Sequence, residues 1–186
     1  MRPLSGRTKE SLQNGAMWRD QRGVSAIEFA FLAPVIIGIY VGAAEIGNLL
    51  TVDRRVETVA STAADLTAQV TKVSNADLAD IVAASTSILT PYPTTPLKIV
   101  LLSVVADQNN NGKVKWSYPT GSGPAVGSLY ALPTGTTEAF SSVIVAEVTY
   151  AFTPLLDLKK VFSPGAFNLQ RTFYARPRRS LTVAKN

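Results

Sequence analysis

Between Phe29 and Ala44 the chain carries no charge: FAFLAPVIIGIYVGAA. Extended back to Val24 and on to Leu50, the run is long enough to cross a bilayer, which takes about 20 residues at 1.5 Å each. Only Glu28 and Glu45 interrupt it, and both fall near its ends. Pro34 and the glycines at 38, 42 and 47 are tolerated better in a membrane helix than in a soluble one. A chain of 186 residues with this segment reads as one modest globular domain plus an anchor.

Basic residues gather on the N-terminal side: Arg2, Arg7, Lys9, Arg19 and Arg22, against Glu10 and Asp20. The positive-inside rule then leaves the N-terminus in the cytoplasm and sends the chain after about residue 50 across the membrane. Two simpler readings compete with a processed anchor. One is a plain signal anchor. The other is a conventional secretory signal cut at the small residues of GAAE, before Glu45.

The absence of cysteine and histidine removes several function classes. Disulfide scaffolds, thiolate and imidazole zinc sites, and triads built on histidine are excluded. Net charge is +5, but the basicity sits at the two ends, in the leader and in RTFYARPRRSLTVAKN. A nucleic-acid binder needs a folded basic face with interleaved aromatics, which this pattern lacks. Asp107, Asn109, Asn111 and Gly112 match the first half of a calcium loop, but its twelfth position is Tyr118, where a bidentate Glu is needed. The stretch is expected to be a hairpin turn. No nucleophile with a base, phosphate loop, cofactor site or small-molecule substrate site is evident, and an enzyme is not expected.

The carboxylate at Glu28 poses the sharper question. If the chain were cut between Gly23 and Val24, Glu28 would lie four residues, or about 6 Å of helix, below a new amino group. A neighbouring subunit's positive N-terminus would then offset the cost of a charge in lipid and fix the stagger between packed helices.

RGVSAIEFAFLAPVIIGIYVGAAEIGNLL resembles the start of TadE-like proteins of the tight-adherence (Tad/Flp) pilus system. The resemblance implies that Gly23 is the last leader residue, Val24 the new N-terminus after a prepilin peptidase cut, Glu28 the family's acid and Phe29 its aromatic neighbour. Pro34 and the Glu45-Ile46-Gly47 triplet also resemble the pattern, as helix-packing positions. EVTYAFTPLL (147–156) and the terminal Arg-rich strand are similar to the family's C-terminal region more loosely. The implied product is a pseudopilin or minor pilin: a bacterial inner-membrane, single-pass protein with a periplasmic domain. Its partners would be the membrane, the peptidase, and other pilins and pilus assembly proteins. The competing function is an unprocessed, membrane-anchored periplasmic binding domain.

Beyond the membrane segment, Leu49, Val52, Val56, Val59, Ala63, Leu66, Val70 and Val73 recur at spacings of three and four. This predicts a helix to about Val73, roughly 75 Å long, whose far half covers the domain's own sheet. A short second helix is expected over 74–89, capped by Ser74 or Asn75, with Leu78, Ile81 and Val82 inward. Strands are expected at 97–106, 113–119, 141–152 and 166–176. Val114, Trp116 and Tyr118 should share one face of the second strand. Ile144, Ala146, Val148, Tyr150 and Phe152 should share one face of the third, with Glu147 solvated opposite. Phe167, Leu169 and Phe173 should share one side of the fourth. The Gly/Pro/Ser/Thr-rich segment 119–138 reads as an exposed loop. Arg54 and Arg55 read as solvated, with lipid headgroups as the alternative contact, and Arg176, Arg178 and Arg179 as a solvated basic tail, with an acidic partner surface as the alternative. The predicted fold is α+β and pilin-like: a leader over 1–23, a transmembrane helix over 24–50 that continues onward, and an α+β domain with a small antiparallel sheet over 51–186.

Overall fold

The computed structural model describes residues 22–109, 111–119, 121–154 and 167–186. Residues 1–21 of the expected leader, Asn110, Thr120, and the ends of the stretches 147–156 and 166–176 that adjoin the 155–166 segment lie outside the described residues. The fold is α+β. One long helix, α1 (Arg22–Ala68, 47 residues), leads into a five-stranded antiparallel sheet. The chain divides into two compact units between Ile46 and Gly47.

In the first unit α1 leaves its apolar side chains uncovered. Phe31 is 76% exposed, Tyr40 75% and Ile39 69%. None of the most apolar window of this helix is buried, and its length and composition suffice to cross a membrane. A continuous apolar sleeve of this size has no stable place in water.

In the second unit the remainder of α1 packs on the sheet. Val52, Val56, Val59, Ala60, Ala63, Ala64 and Ala68 are buried there. The i, i+4 ladder places these small and β-branched residues on one side, which lets the helix lie close to the strands. α1 ends at Ala68, five residues short of the expected limit. Val70 is 36% exposed, and Val73 belongs to β1 (Lys72–Val73). The reason is a set of hydrogen bonds from far along the chain. The Arg178 N–H donates to the Ala68 carbonyl at 3.0 Å, the Ala184 N–H to Thr71 at 3.1 Å, and the Asn186 N–H to Val73 at 3.0 Å.

The second helix, α2 (Asn75–Thr86), runs into a 3-10 turn over Ser87–Leu89. Ser74 caps it in a full capping box. The Asp77 N–H donates to Ser74 Oγ at 3.2 Å, and the Ser74 N–H donates to Asp77 Oδ2 at 2.8 Å. Leu78 is buried, with Ile81 and Val82 packed against the core.

The strands β2 (Leu97–Ala106), β3 (Gly112–Tyr118), β4 (Leu129–Tyr130), β5 (Ser142–Phe152) and β6 (Phe167–Ala175) lie in the order β4-β3-β2-β5-β6. The β2–β3 hairpin closes on Asp107, whose Oδ1 accepts the N–H groups of Asn109 and Asn111, both at 2.9 Å. It is a turn closed on its own carboxylate, as expected from the sequence. β7 (Ala184–Lys185) pairs in parallel with β1, a pairing with no period or turn signal in the sequence.

Strand alternation holds along β5. Ile144, Ala146, Val148, Tyr150 and Phe152 all face the helix-covered core. Phe173 stands opposite Ala146, Leu169 opposite Tyr150 and Phe167 opposite Phe152, so these three share that side. β3 departs from expectation. Its register against β2 shifts between Ser103 and Val104, so Lys115 is an extra residue. Trp116 joins the helix-side core, while Val114 turns into a second cluster with Leu102, Val104, Val143 and Val145 on the far side. Segment 119–138 is not simply an exposed loop either. It contributes β4, and Tyr130 and Leu132 pack over that second cluster.

Candidate membrane anchor and its junction with the domain

The residues of the expected cleavage, assembly and helix-packing sites all fall on α1. Gly23 and Val24 occupy its first turn, and Val24 is 55% exposed. Glu28 lies one turn on and is exposed; Phe29 follows at 68%. Residues four apart share a helical face, so Val24 and Glu28 lie one above the other. Pro34 sits inside the helix without ending it. Glu45 is half-buried and Gly47 exposed. A Cβ added at Gly38, Gly42 or Gly47 would meet nothing within 4 Å, so no contact within the chain accounts for these glycines.

In the second unit, charged side chains hold α1 to the sheet and to α2. Asp53 accepts a hydrogen bond from Arg171 of β6, and Asp65 accepts one from Arg178. Arg55, expected to be solvated, instead donates to the Ile88 carbonyl at 2.9 Å and to the Thr90 carbonyl, with its guanidinium 5.7 Å from the Tyr92 ring centre. It satisfies carbonyls left open where the 3-10 turn ends. The Tyr92 hydroxyl donates to Asn48 Oδ1 at 2.8 Å. Arg176 donates to the carbonyls of Thr136 at 2.9 Å and Gly135 at 3.1 Å. Thus Arg176 and Arg178 serve the domain itself. Sequence reading missed these roles because the partners lie 33 to 118 residues away.

Glu147 is not the free strand residue expected. The Tyr130 hydroxyl donates to its Oε1 at 2.6 Å on the outer side of the sheet. Burial, then the Glu147 carboxylate, push the Tyr130 phenol well above its ordinary range. Burial also raises Tyr150, helped by Tyr92. The Asn111 backbone N–H, foremost, holds the Asp107 carboxyl below its ordinary value. The Ser74 backbone N–H and then its hydroxyl do the same for Asp77. Among the described residues no cluster of three or more His, Cys, Asp or Glu side chains is placed to hold a metal ion.

No curated protein and no solved structure matches the chain. A family model does match, that of TadE-like protein, and it covers residues 23–65. It begins on Gly23 and ends where α1 lies on the sheet, so over this segment the chain is similar to TadE-like proteins.

Proposed function

We propose that this chain is a pseudopilin or minor pilin that takes part in assembling a tight-adherence (Flp-type) pilus. A prepilin peptidase cuts between Gly23 and Val24, and the chain is that enzyme's substrate rather than an enzyme itself. The new amino group and Glu28 of adjacent subunits pair and register the apolar helices in the bacterial inner membrane. The α+β domain faces the periplasm and meets other pilus components. Pro34, Glu45 and Gly47 are positions at which neighbouring helices pack.

One observation carries this reading: the family match starts on Gly23, just ahead of a carboxylate on the uncovered apolar part of α1. Glu28 has little reason to sit there unless a cation arrives beside it. The glycines with open space around them also favour close approach of another helix.

N-terminal sequencing and intact mass of the protein extracted from membranes test the proposal. A start at Val24 is expected. A start at Met1 selects the unprocessed anchored binding domain instead, and a start at Glu45 selects conventional secretion; either outcome overturns the proposal.

A further inference from the structure

The two sides of the sheet are covered very differently. The core side is sealed by α1, α2 and the C-terminal segment. The other side holds five buried aliphatic residues, Leu102, Val104, Val114, Val143 and Val145, each at most 2% exposed. Their cover is the segment 121–141, most of whose own residues are exposed. Of its hydrophobic side chains, Tyr130 and Leu132 pack onto the cluster. Gly123 lets its backbone press on the sheet, since a Cβ there would stand 2.5 Å from Val100 Cγ1.

The attachments of this cover are local: at its end the Phe140 N–H donates to the Ala106 carbonyl and the Ala106 N–H donates to the Ser141 carbonyl, both at 3.0 Å. β4 contributes two residue pairs with β3. The Val114 N–H donates to the Ser128 carbonyl at 3.0 Å, and the Gly127 N–H donates to the Val114 carbonyl at 2.7 Å. The Tyr130–Glu147 bond at 2.6 Å ties the middle of the segment to the central part of β5, and Arg176 ties its far end. Between that end and the strands lies a cleft of about 230 Å³, lined in part by Tyr174, Val143 and Arg176. The chain turns through positive φ at Gly121 (83°), Gly127 (85°) and Gly135 (82°). At the return into β5, Phe140 adopts φ 65°, a conformation unfavourable for a bulky side chain.

We propose that residues 121–141, β4 included, form a lid that opens as a unit while β2, β3, β5, β6 and α1 stay folded, and that the Tyr130–Glu147 hydrogen bond is its latch. Two inserted side chains and a handful of bonds hold it, against an entire helix on the opposite side. Its opening therefore costs less than global unfolding. The strained return at Phe140 relaxes when the lid is released, which lowers that cost further. The aliphatic surface uncovered is too large to remain in water, so the closed form predominates at rest.

Native-state hydrogen exchange on the full chain in detergent micelles tests this, following the amides of Gly127 and Val114 against those of Ala146 and Val148 at increasing urea. The lid amides are expected to exchange through an opening with little urea dependence, and the β5 amides through one with a steep dependence. Tyr130→Phe should speed lid exchange about tenfold, the value of one charge-assisted hydrogen bond, and leave the β5 amides unchanged. Glu147→Gln should act in the same direction and less strongly. If all four amides share one rate and one urea slope in the unaltered chain, the lid does not exist. If Tyr130→Phe accelerates all four equally, Tyr130 is a structural bond and not a latch.

Discussion

Arg178 pairs with Asp65 across 113 residues of sequence, and its own backbone N–H closes the last turn of α1 at Ala68. One residue thus answers both the charge and the open carbonyls at the end of the long helix. A helix terminus needs such partners when no solvent-facing cap follows.

Removing only the side chain tests the weaker of these two contacts. Arg178→Ala should cost about 0.5 kcal/mol, because the ion pair is half-exposed and screened. Arg178→Pro also deletes the N–H and should cost about 1 kcal/mol more. Thermal unfolding of the two variants, compared with the unaltered chain, gives the difference.

The capping box makes a separate prediction at the start of α2. Ser74→Ala should destabilise the domain by about 1 kcal/mol. Asp77 adds a pH dependence of known sign. Its folded carboxyl titrates below the ordinary value of 3.8. Its stabilising contribution is therefore fully present above that value and lost as pH falls through the lower, folded value. Asp77→Asn should narrow the gap to the unaltered chain only in that acidic window, as followed by circular dichroism.

Arg55 holds two carbonyls and stacks on Tyr92, partly buried. Arg55→Ala should cost about 1.5–3 kcal/mol, the range for hydrogen bonds made by a charged group. Arg55→Lys should recover only part of it, because an ammonium lacks the planar fork. Urea denaturation midpoints would show the ordering.

Both sides of the sheet are packed, so truncation on either side should be costly. Leu101→Ala on the helix side and Leu102→Ala on the outer side should each lose about 2–5 kcal/mol. A cost well below this range for Leu102→Ala would mean that the cover over 121–141 collapses into the space left.

For the proposed assembly role, Glu28→Ala should leave membrane insertion intact and abolish co-purification with other pilus subunits. Carbonate extraction reads the first and affinity isolation reads the second. Normal assembly by this variant would remove the pairing of Glu28 with an amino terminus.

Much of this architecture was legible from local patterns. The spacing of Val52, Val56, Val59 and Ala63 gave the buried side of α1, and alternation along Ile144 to Phe152 gave the buried side of β5. Of the two expected caps, Ser74 and Asn75, it is Ser74 that starts α2. What failed depended on distant partners or on a single inserted residue. Period two put Val114 beside Trp116, but the extra Lys115 rotates them to opposite sides, and nothing local announces a bulge. Val70 and Val73 continue the helical spacing, yet the chain leaves the helix at Ala68 because residues 178–186 supply other hydrogen bonds. Glu147 and Arg55 looked solvated because Tyr130 and the 3-10 turn that engage them are remote in sequence. For the anchor, charge and hydropathy alone delimited the apolar stretch, since lipid selects on composition rather than on tertiary contacts.

The strap formed by residues 178–186 also bears on how the domain is made. A chain emerging from its N-terminal end presents α1 early, while the partners of Asp65, Ala68, Thr71 and Val73 emerge more than a hundred residues later. Contacts of such long sequence separation form slowly. The end of α1 therefore stays unsealed through most of synthesis, and a chaperone that shields its alanine-rich side during that interval would act on yield without changing the final structure.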